Sequence, residues 1–286
     1  MKIILMAKKQ IRNIICISDT HCGCQLGLMP PKFQLDHGPV VMQSELQKKI
    51  WAMWKEFWNS WVPKATRGED YVIVHNGDAV DGVHHNSVTQ ITHNIKDQVK
   101  MAIEVLQPVI NNSKCKGYYH IRGTEAHVGK SGQSEEGLAA ALGAIPDENG
   151  NHARWEMYLR LHKYLVHFSH HVGTTSSSNY ESTAAYKEIV EAWTEAARWG
   201  YEKPDAIVRS HRHREFKIDV KTDKGNGIVH VTPAWQLKTP FVYKLGMKQS
   251  TPQMGGSLIT VSEDEGIYIR SKVWPVERPK TEIIQL

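Results

Sequence analysis

Residues 120–132 read HIRGTEAHVGKSG, and the choice between two folds turns on them. A strand-like run, Lys116 to Ile121, leads directly into glycines, a lysine and a serine. One reading is a phosphate-cradling P-loop. The other is a metal-binding strand end carrying Glu125 and His127. A P-loop needs four residues between its first glycine and the Gly-Lys-Ser/Thr, so that backbone N–H groups wrap one phosphate. Here Thr124 to Val128 make five, with Glu-Ala-His filling the loop. The next helical pattern also starts late, near Ser134. Spacing therefore rejects the P-loop.

Working outward, 286 residues suffice for one substantial core. No apolar run is long enough to span a bilayer. The apolar part of the opening Met1 to Lys9 is too short for a signal peptide; it reads as the start of a first strand. A cytoplasmic protein without a membrane partner is expected. The four cysteines, Cys16, Cys22, Cys24 and Cys115, then read as reduced thiols, and Cys22-x-Cys24 is no zinc-ribbon spacing. The net charge of +5 suits an anionic substrate but is mild for a dedicated nucleic-acid binder. Sixteen histidines are more telling, because many cluster with carboxylates.

No repeat or linker divides the chain, so one domain is expected over 1–274, with an extended tail over 275–286. Ile11 to Ser18, Tyr71 to His75 and Lys116 to Ile121 read as buried strands. Ser44 to Val62 is an amphipathic helix behind a Ser44 cap, with a stripe of Leu46, Ile50, Met53, Trp54, Phe57, Trp58 and Trp61. That stripe reads as a core face rather than a base-stacking platform. Helices are also expected over Asn94 to Ile110, Ser134 to Leu142 and Ser182 to Trp199, the last closed by Gly200. Trp155 to Leu161 and Tyr164 to Phe168 form a hairpin. Asp205 to Arg209, Glu215 to Val220, Gly227 to Thr232, Ser257 to Val261 and Ile267 to Trp274 complete the strands. Alternation first and hairpins later imply two packed sheets with helices outside.

Residues able to bind metal follow these strands. The groups are Asp19-Thr-His21, His75-Asn-Gly-Asp78-Ala-Val-Asp81, Glu125-Ala-His127, His167-Phe-Ser-His170-His171 and His211-Arg-His213. In Asp19-Thr-His21 and His211-Arg-His213 the two side chains sit two residues apart, on the same side of an extended chain. A lone histidine at a strand end is ordinarily structural. Five such groups in succession imply a metal centre. Mixed His/Asp ligands suit manganese, iron, zinc or nickel better than magnesium or calcium.

Taken in order, these groups resemble the calcineurin-like metallophosphoesterases, whose pattern runs Asp-x-His, Gly-Asp-x-x-Asp, Gly-Asn-His-Asp/Glu, His, Gly-His-x-His. The resemblance runs from Asp19 to His213, about two thirds of the chain. It implies an α/β fold, a four-layer α/β/β/α sandwich of two mixed β-sheets flanked by helices. It also implies two divalent transition-metal ions, manganese first, with iron, zinc or nickel as alternatives. Asp19, His21 and His213 would hold one ion, His170 and His211 would help hold the second, and Asp78 would bridge them. Three departures stand out. Ser210 replaces the glycine of Gly-His-x-His. Gly82 stands where protein Ser/Thr phosphatases carry arginine. Gly123-Thr124-Glu125-Ala126-His127 replaces Gly-Asn-His-Asp. Glu125 is accordingly read as an oxygen ligand of the second ion, and His127 as the catalytic group at the leaving oxygen. Gly-Thr-x-x-His loops of this kind occur in relatives encoded by bacteriophages and point to such an origin.

The activity implied is phosphodiester hydrolysis, in nucleic acid or a nucleotide, by attack of a metal-bridging hydroxide. The alternatives are a phosphomonoesterase of a small metabolite and a metal-binding module without catalysis. Arg122, Arg212 and Arg214, with Lys130 behind them, are candidates for binding substrate phosphate, each against a surface role. Asp81 reads as orienting a ligand. His84-His85-Asn86 reads as a solvated loop. Substrate identity and oligomeric state are not legible.

Overall fold

The computed structural model describes residues 10–84, 86–173, 178–223, 225–244, 251–262, 266–276 and 281–282. The expected first strand at Met1 to Lys9 and most of the tail lie outside them. In chain order, β1 (Asn13–Ile17) precedes a small hairpin of β2 (Lys32–Gln34) and β3 (Val40–Met42). Helix α1 (Glu45–Glu56) runs through a π-helical turn (Phe57–Trp61) into α2 (Val62–Ala65). Then come β4 (Tyr71–Asn76), α3 (Ile95–Ile110), β5 (Cys115–Ile121), the short turn α4 (Glu125–Val128), α5 (Gln133–Ala141) and β6 (Ala153–Arg154). The hairpin β7 (Glu156–Leu161) and β8 (Tyr164–Ser169) is followed by α6 (Glu181–Trp199). The chain continues through β9 (Ala206–Arg209), β10 (Phe216–Thr222), β11 (Gly225–Val231), α7 (Pro240–Lys244), β12 (Gln253–Ser262) and β13 (Gly266–Pro275).

Two mixed sheets carry the fold. The larger has the order β13-β12-β1-β4-β5-β6, and the smaller β10-β11-β9-β8-β7. Successive side chains leave a strand on opposite faces, and the clusters follow this alternation. From β1, Ile14 and Cys16 join Val72 and Val74 of β4, with Phe168, Ala206 and Val208 of the smaller sheet. Ile15 and Ile17 instead join Ile50, Trp54, Met101 and Leu138 from α1, α3 and α5. On the smaller sheet, Ile207 and Val229 meet Ala185 and Ile189 of α6. Strands apolar on both faces are thus covered on both, which is why they read as unbroken hydrophobic runs.

The expected tryptophan stripe is a core face. Trp54 and Trp58 are buried and Trp54 meets Trp235 edge to face at 4.9 Å. Leu46 is the exception, standing exposed. Ser44 caps α1 through a full capping box with Gln47. Among the described residues the four cysteines are free, and Cys16, Cys22 and Cys24 are buried. No described helix is long and apolar enough to cross a membrane.

What matters for function is direction. β1, β4 and β5 are mutually parallel, as are β8 and β9. Their C-terminal ends open into the loops that carry Asp19, Asp78, Thr124, His170 and His211. Open α/β sheets bind ligands at such ends.

Candidate metal centre

Five of the seven expected ligands hold a left-handed backbone: Asp19 (φ 51°), His21 (φ 42°), Asp78 (φ 56°), His211 (φ 73°) and His213 (φ 54°). Such conformations cost a non-glycine residue about 1–2 kcal/mol and persist only where surroundings impose them. Here backbone bonds between loops do so. Asp19 N–H donates to Gly77 O at 2.9 Å, His21 N–H to Asp78 O at 3.1 Å, and Trp235 N–H to Asp19 O at 3.0 Å. Gly77, at φ 92°, has no room for a side chain, since a Cβ would lie 2.4 Å from His170 Nδ1.

Three groups of His and Asp side chains converge here, one of them His21, Asp81 and His127; the other two share no residue and form the main clusters. In the first, Asp19 Oδ1 lies 3.2 Å from His213 Nε2, and His21 Nε2 lies 3.2 Å from the same nitrogen. In the second, Asp78 Oδ2 lies 3.0 Å from His170 Nε2, with His211 alongside. Thr124 completes it: its hydroxyl donates to Asp78 Oδ2 at 3.0 Å and sits 3.1 Å from His211 Nδ1. Asp19 Oδ1 also approaches His170 Nε2 at 3.9 Å, which joins the clusters.

Asp19 Oδ1 and His170 Nε2 are buried without a hydrogen bond of good geometry, and their near neighbours are the ligand-type atoms of the clusters themselves, at 3.0–3.9 Å. The electrostatics ask for a cation. Burial works against charge on His170, yet the carboxylates of Asp78 and Asp19 raise its pKa to about 10. Burial likewise opposes ionisation of Asp78 and Asp19, but nearby histidines, His170 for Asp78 and His213 for Asp19, hold both below the usual carboxylate range. Imidazoles and carboxylates converging in this way suit a first-row transition metal, so the residues present fit such ions.

A layer behind the clusters fixes their orientation. Asp81 lies 3.3 Å from His21 Nδ1, leaving Nε2 to face the first cluster, and is itself held by Gln90 at 2.9 Å and Gln236 at 3.1 Å. This is the carboxylate–imidazole arrangement found behind metal-bound histidines. Asn76 accepts from His170 Nδ1 through its carbonyl at 2.7 Å and donates through its side chain to Ser210 Oγ at 2.7 Å. Ser210 reaches Thr232 at 2.8 Å. The serine in place of glycine is therefore part of a buried hydroxyl network. Gln236 and Asn76 were not identified from sequence, because neither neighbour nor spacing marks an amide as a support.

Two sequence expectations change. Glu125 is exposed and enters neither cluster; it lines a separate hollow with Val83, Ile95 and Lys130. The chain passes from extended backbone at Thr124 into the helical turn α4, so the next side chain rotates out. Thr124, not Glu125, is the residue of this loop that touches the second cluster, through Asp78 and His211. His84, read as part of a solvated loop, is instead mostly buried, 3.6 Å from Asp81 and edge-on to His127 at 4.3 Å. His85 lies outside the described residues.

His127 stands beside the second cluster, with Nε2 4.0 Å from Asp78 Oδ2. Its Nδ1 is 2.6 Å from the carbonyl of Asp81, so Nδ1 carries the proton. Burial lowers its pKa to about 4 against the pull of Asp78, and the ring is neutral. A cleft of about 160 Å³ opens over these groups, with Arg212 and Lys238 on its walls beside Leu237, Phe241 and Pro252. Arg122 pairs with Glu136 at 3.0 Å and Arg214 with Glu181 at 3.7 Å, so neither serves the cleft.

No protein-family model matches the sequence, and no curated protein matches it. Solved structures do. Vacuolar protein sorting 29 from Cryptosporidium parvum is 11% identical, with TM-score 0.39 over 93% of this chain and 98% of that one. A predicted phosphoesterase from Streptococcus pneumoniae is 9% identical, with TM-score 0.34 over 92% and 98%. The sulfate thiohydrolase SoxB of Thermus thermophilus is 12% identical, with TM-score 0.41; 94% of this chain aligns with 57% of that one.

Proposed function

We propose that this chain is a dinuclear metal-dependent phosphoesterase of the calcineurin-like kind, a four-layer α/β/β/α sandwich hydrolysing a phosphodiester. The observation that carries the reading is the pair of His/Asp clusters joined through Asp19, in which imidazole and carboxylate atoms of ligand type converge within 4.8 Å of one another. Asp19, His21 and His213 would hold one ion. Asp78, His170, His211 and Thr124 would hold the other, with Asp78 and Asp19 between them. Glu125 leaves the ligand set. Manganese, iron, zinc or nickel fit these donors. Such ions would supply Lewis-acid polarisation of phosphate oxygens and acidify water.

The chain's own residues supply orientation and a proton. Arg212 and Lys238 are the cations among the described cleft residues and would hold a phosphate's negative charge at the cleft wall. An ester's negative charge near His127 Nε2 raises that nitrogen's proton affinity. Nε2 would take a proton from solvent and pass it to the leaving oxygen as the phosphorus–oxygen bond breaks, while the attacking water bonds to phosphorus and returns a proton to solvent.

The test is a turnover screen of metal-loaded protein on bis-p-nitrophenyl phosphate, p-nitrophenyl phosphate, cyclic nucleotides and DNA, with Asp78→Asn alongside. The diester should turn over faster than the monoester under manganese. Asp78→Asn should lose metal or nearly all activity. The reverse substrate ranking selects a phosphomonoesterase, and a metal-loaded protein inert on every ester selects a binding module.

A further inference from the structure

The β4–β5 ladder ends at the pair Asn76–Ile121. Beyond it Arg122 N–H donates to Arg154 O at 2.7 Å, and the two chains run on to Ala79 and Gly123. Glu135, fully buried on α5, takes one amide from each chain. Its Oε1 accepts from Ala79 N–H at 2.7 Å and its Oε2 from Gly123 N–H at 2.6 Å. Ala79 directly follows Asp78, and Gly123 directly precedes Thr124. His120 Nε2 lies 3.5 Å from Oε1, and the other ring nitrogen is fixed by Tyr118 Oη at 2.6 Å. Glu135 belongs to neither cluster.

A buried carboxylate is costly unless hydrogen-bonded, and bonds to an ionised acceptor are short and strong. The two loops it joins are already in intimate contact. Thr124 N–H donates to Asp78 Oδ1 at 2.7 Å, and a Cβ on Gly123 would lie 2.0 Å from that oxygen. Their separation therefore fixes how Asp78 and Thr124 present oxygen to the second cluster. We infer that Glu135 is a positioning residue that clamps the Asp78 loop to the Thr124 loop and so sets the affinity of the second metal site. The inference rests on the dinuclear reading above.

Glu135→Gln keeps the shape but turns an amide group toward one of the two backbone N–H donors, which then loses its acceptor. Calorimetric titration of metal-free protein with Mn²⁺, followed by the electron paramagnetic resonance signal of a coupled Mn pair, reads each site separately. Wild type should take up two ions. Glu135→Gln should bind the first with unchanged affinity and the second about 10–100-fold more weakly, the usual effect of removing an outer support. Two ions bound at wild-type affinities, or both sites weakened alike, would overturn the clamp. A wild-type protein with no second ion overturns the dinuclear reading and this assignment with it, and the wild-type titration alone identifies that case. Should Glu135→Gln not fold, hydrogen exchange on the wild type still decides. Ala79 and Gly123 amides should be protected together, and either one exchanging like an open loop removes the clamp.

Discussion

His127 shows how a single side chain can be held ready without being charged. Its Nδ1–H is committed to the Asp81 carbonyl, and burial keeps Nε2 free of a proton near neutral pH. On the reading proposed above, Nε2 would gain a proton only when an anionic ester is bound. His127→Ala should leave metal content unchanged and lower the rate by about 10²–10⁴, the range for a positioned acid. The loss should shrink for p-nitrophenolate leaving groups, which need little protonation. A uniform loss across leaving groups would instead assign His127 to metal binding or packing. The clustered side chains were legible where strand periodicity governs: Asp19 and His21, or His211 and His213, two residues apart. Glu125 was misread because that periodicity stops at Thr124, where a helical turn begins and each residue rotates about 100° from the last. Asn76 and Glu135 were silent in sequence, since no local pattern marks their partners: the His170 and Ser210 side chains for Asn76, the Ala79 and Gly123 amides for Glu135.

Elements were legible in proportion to their length. The long helices and the buried strands emerge within one or two residues at most of their ends, because apolar periodicity accumulates over many positions. The three-residue strands β2 and β3 carry too few positions to show a period. The continuous helix expected over Ser44 to Val62 contains a π turn at Phe57–Trp61. There the aromatic residues choose their own geometry, with Trp61 stacked on Phe57 at 5.0 Å and Trp58 edge-on to it at 5.2 Å. Packing of large rings overrides the 3.6 period, and π turns recur at functional sites. The start of the same helix is set locally by Ser44 and Gln47, which satisfy each other's backbone amides. Ser44→Ala should therefore cost about 1 kcal/mol, read as a lower urea midpoint with an unchanged slope. A loss beyond about 3 kcal/mol would mean that the cap also anchors the loop in front of it.

At the scale of the whole molecule, the two sheets are tied together by polar groups as well as by the apolar core between them. His230 of β11 is fully buried and shares a 2.7 Å hydrogen bond with Ser257 of β12, in the other sheet. Burial, aided by Lys217, lowers its pKa to about 3. The sign of the consequence follows from proton counting. Between pH 3 and the ordinary value of 6.5, the unfolded chain binds a proton at this position and the folded chain does not, so stability falls as pH falls through that window. At pH 5 the contribution lost is about 2 kcal/mol by the linkage relation. His230→Gln retains a donor and an acceptor but cannot titrate. Its stability should therefore decline less steeply than wild type between pH 7 and 5, both measured metal-free by urea unfolding. Parallel curves would mean that His230 takes up a proton in the fold as readily as in the unfolded chain, with Glu215, 3.8 Å from Nδ1, offsetting its burial. The difference matters for function because the same seam carries the Ser18–Thr232–Ser210 hydroxyl chain to the loop of His211. On the dinuclear reading proposed above, acid that opens it should release metal before the outer helices unfold, read as metal captured by a chelating dye ahead of the loss of helical circular dichroism.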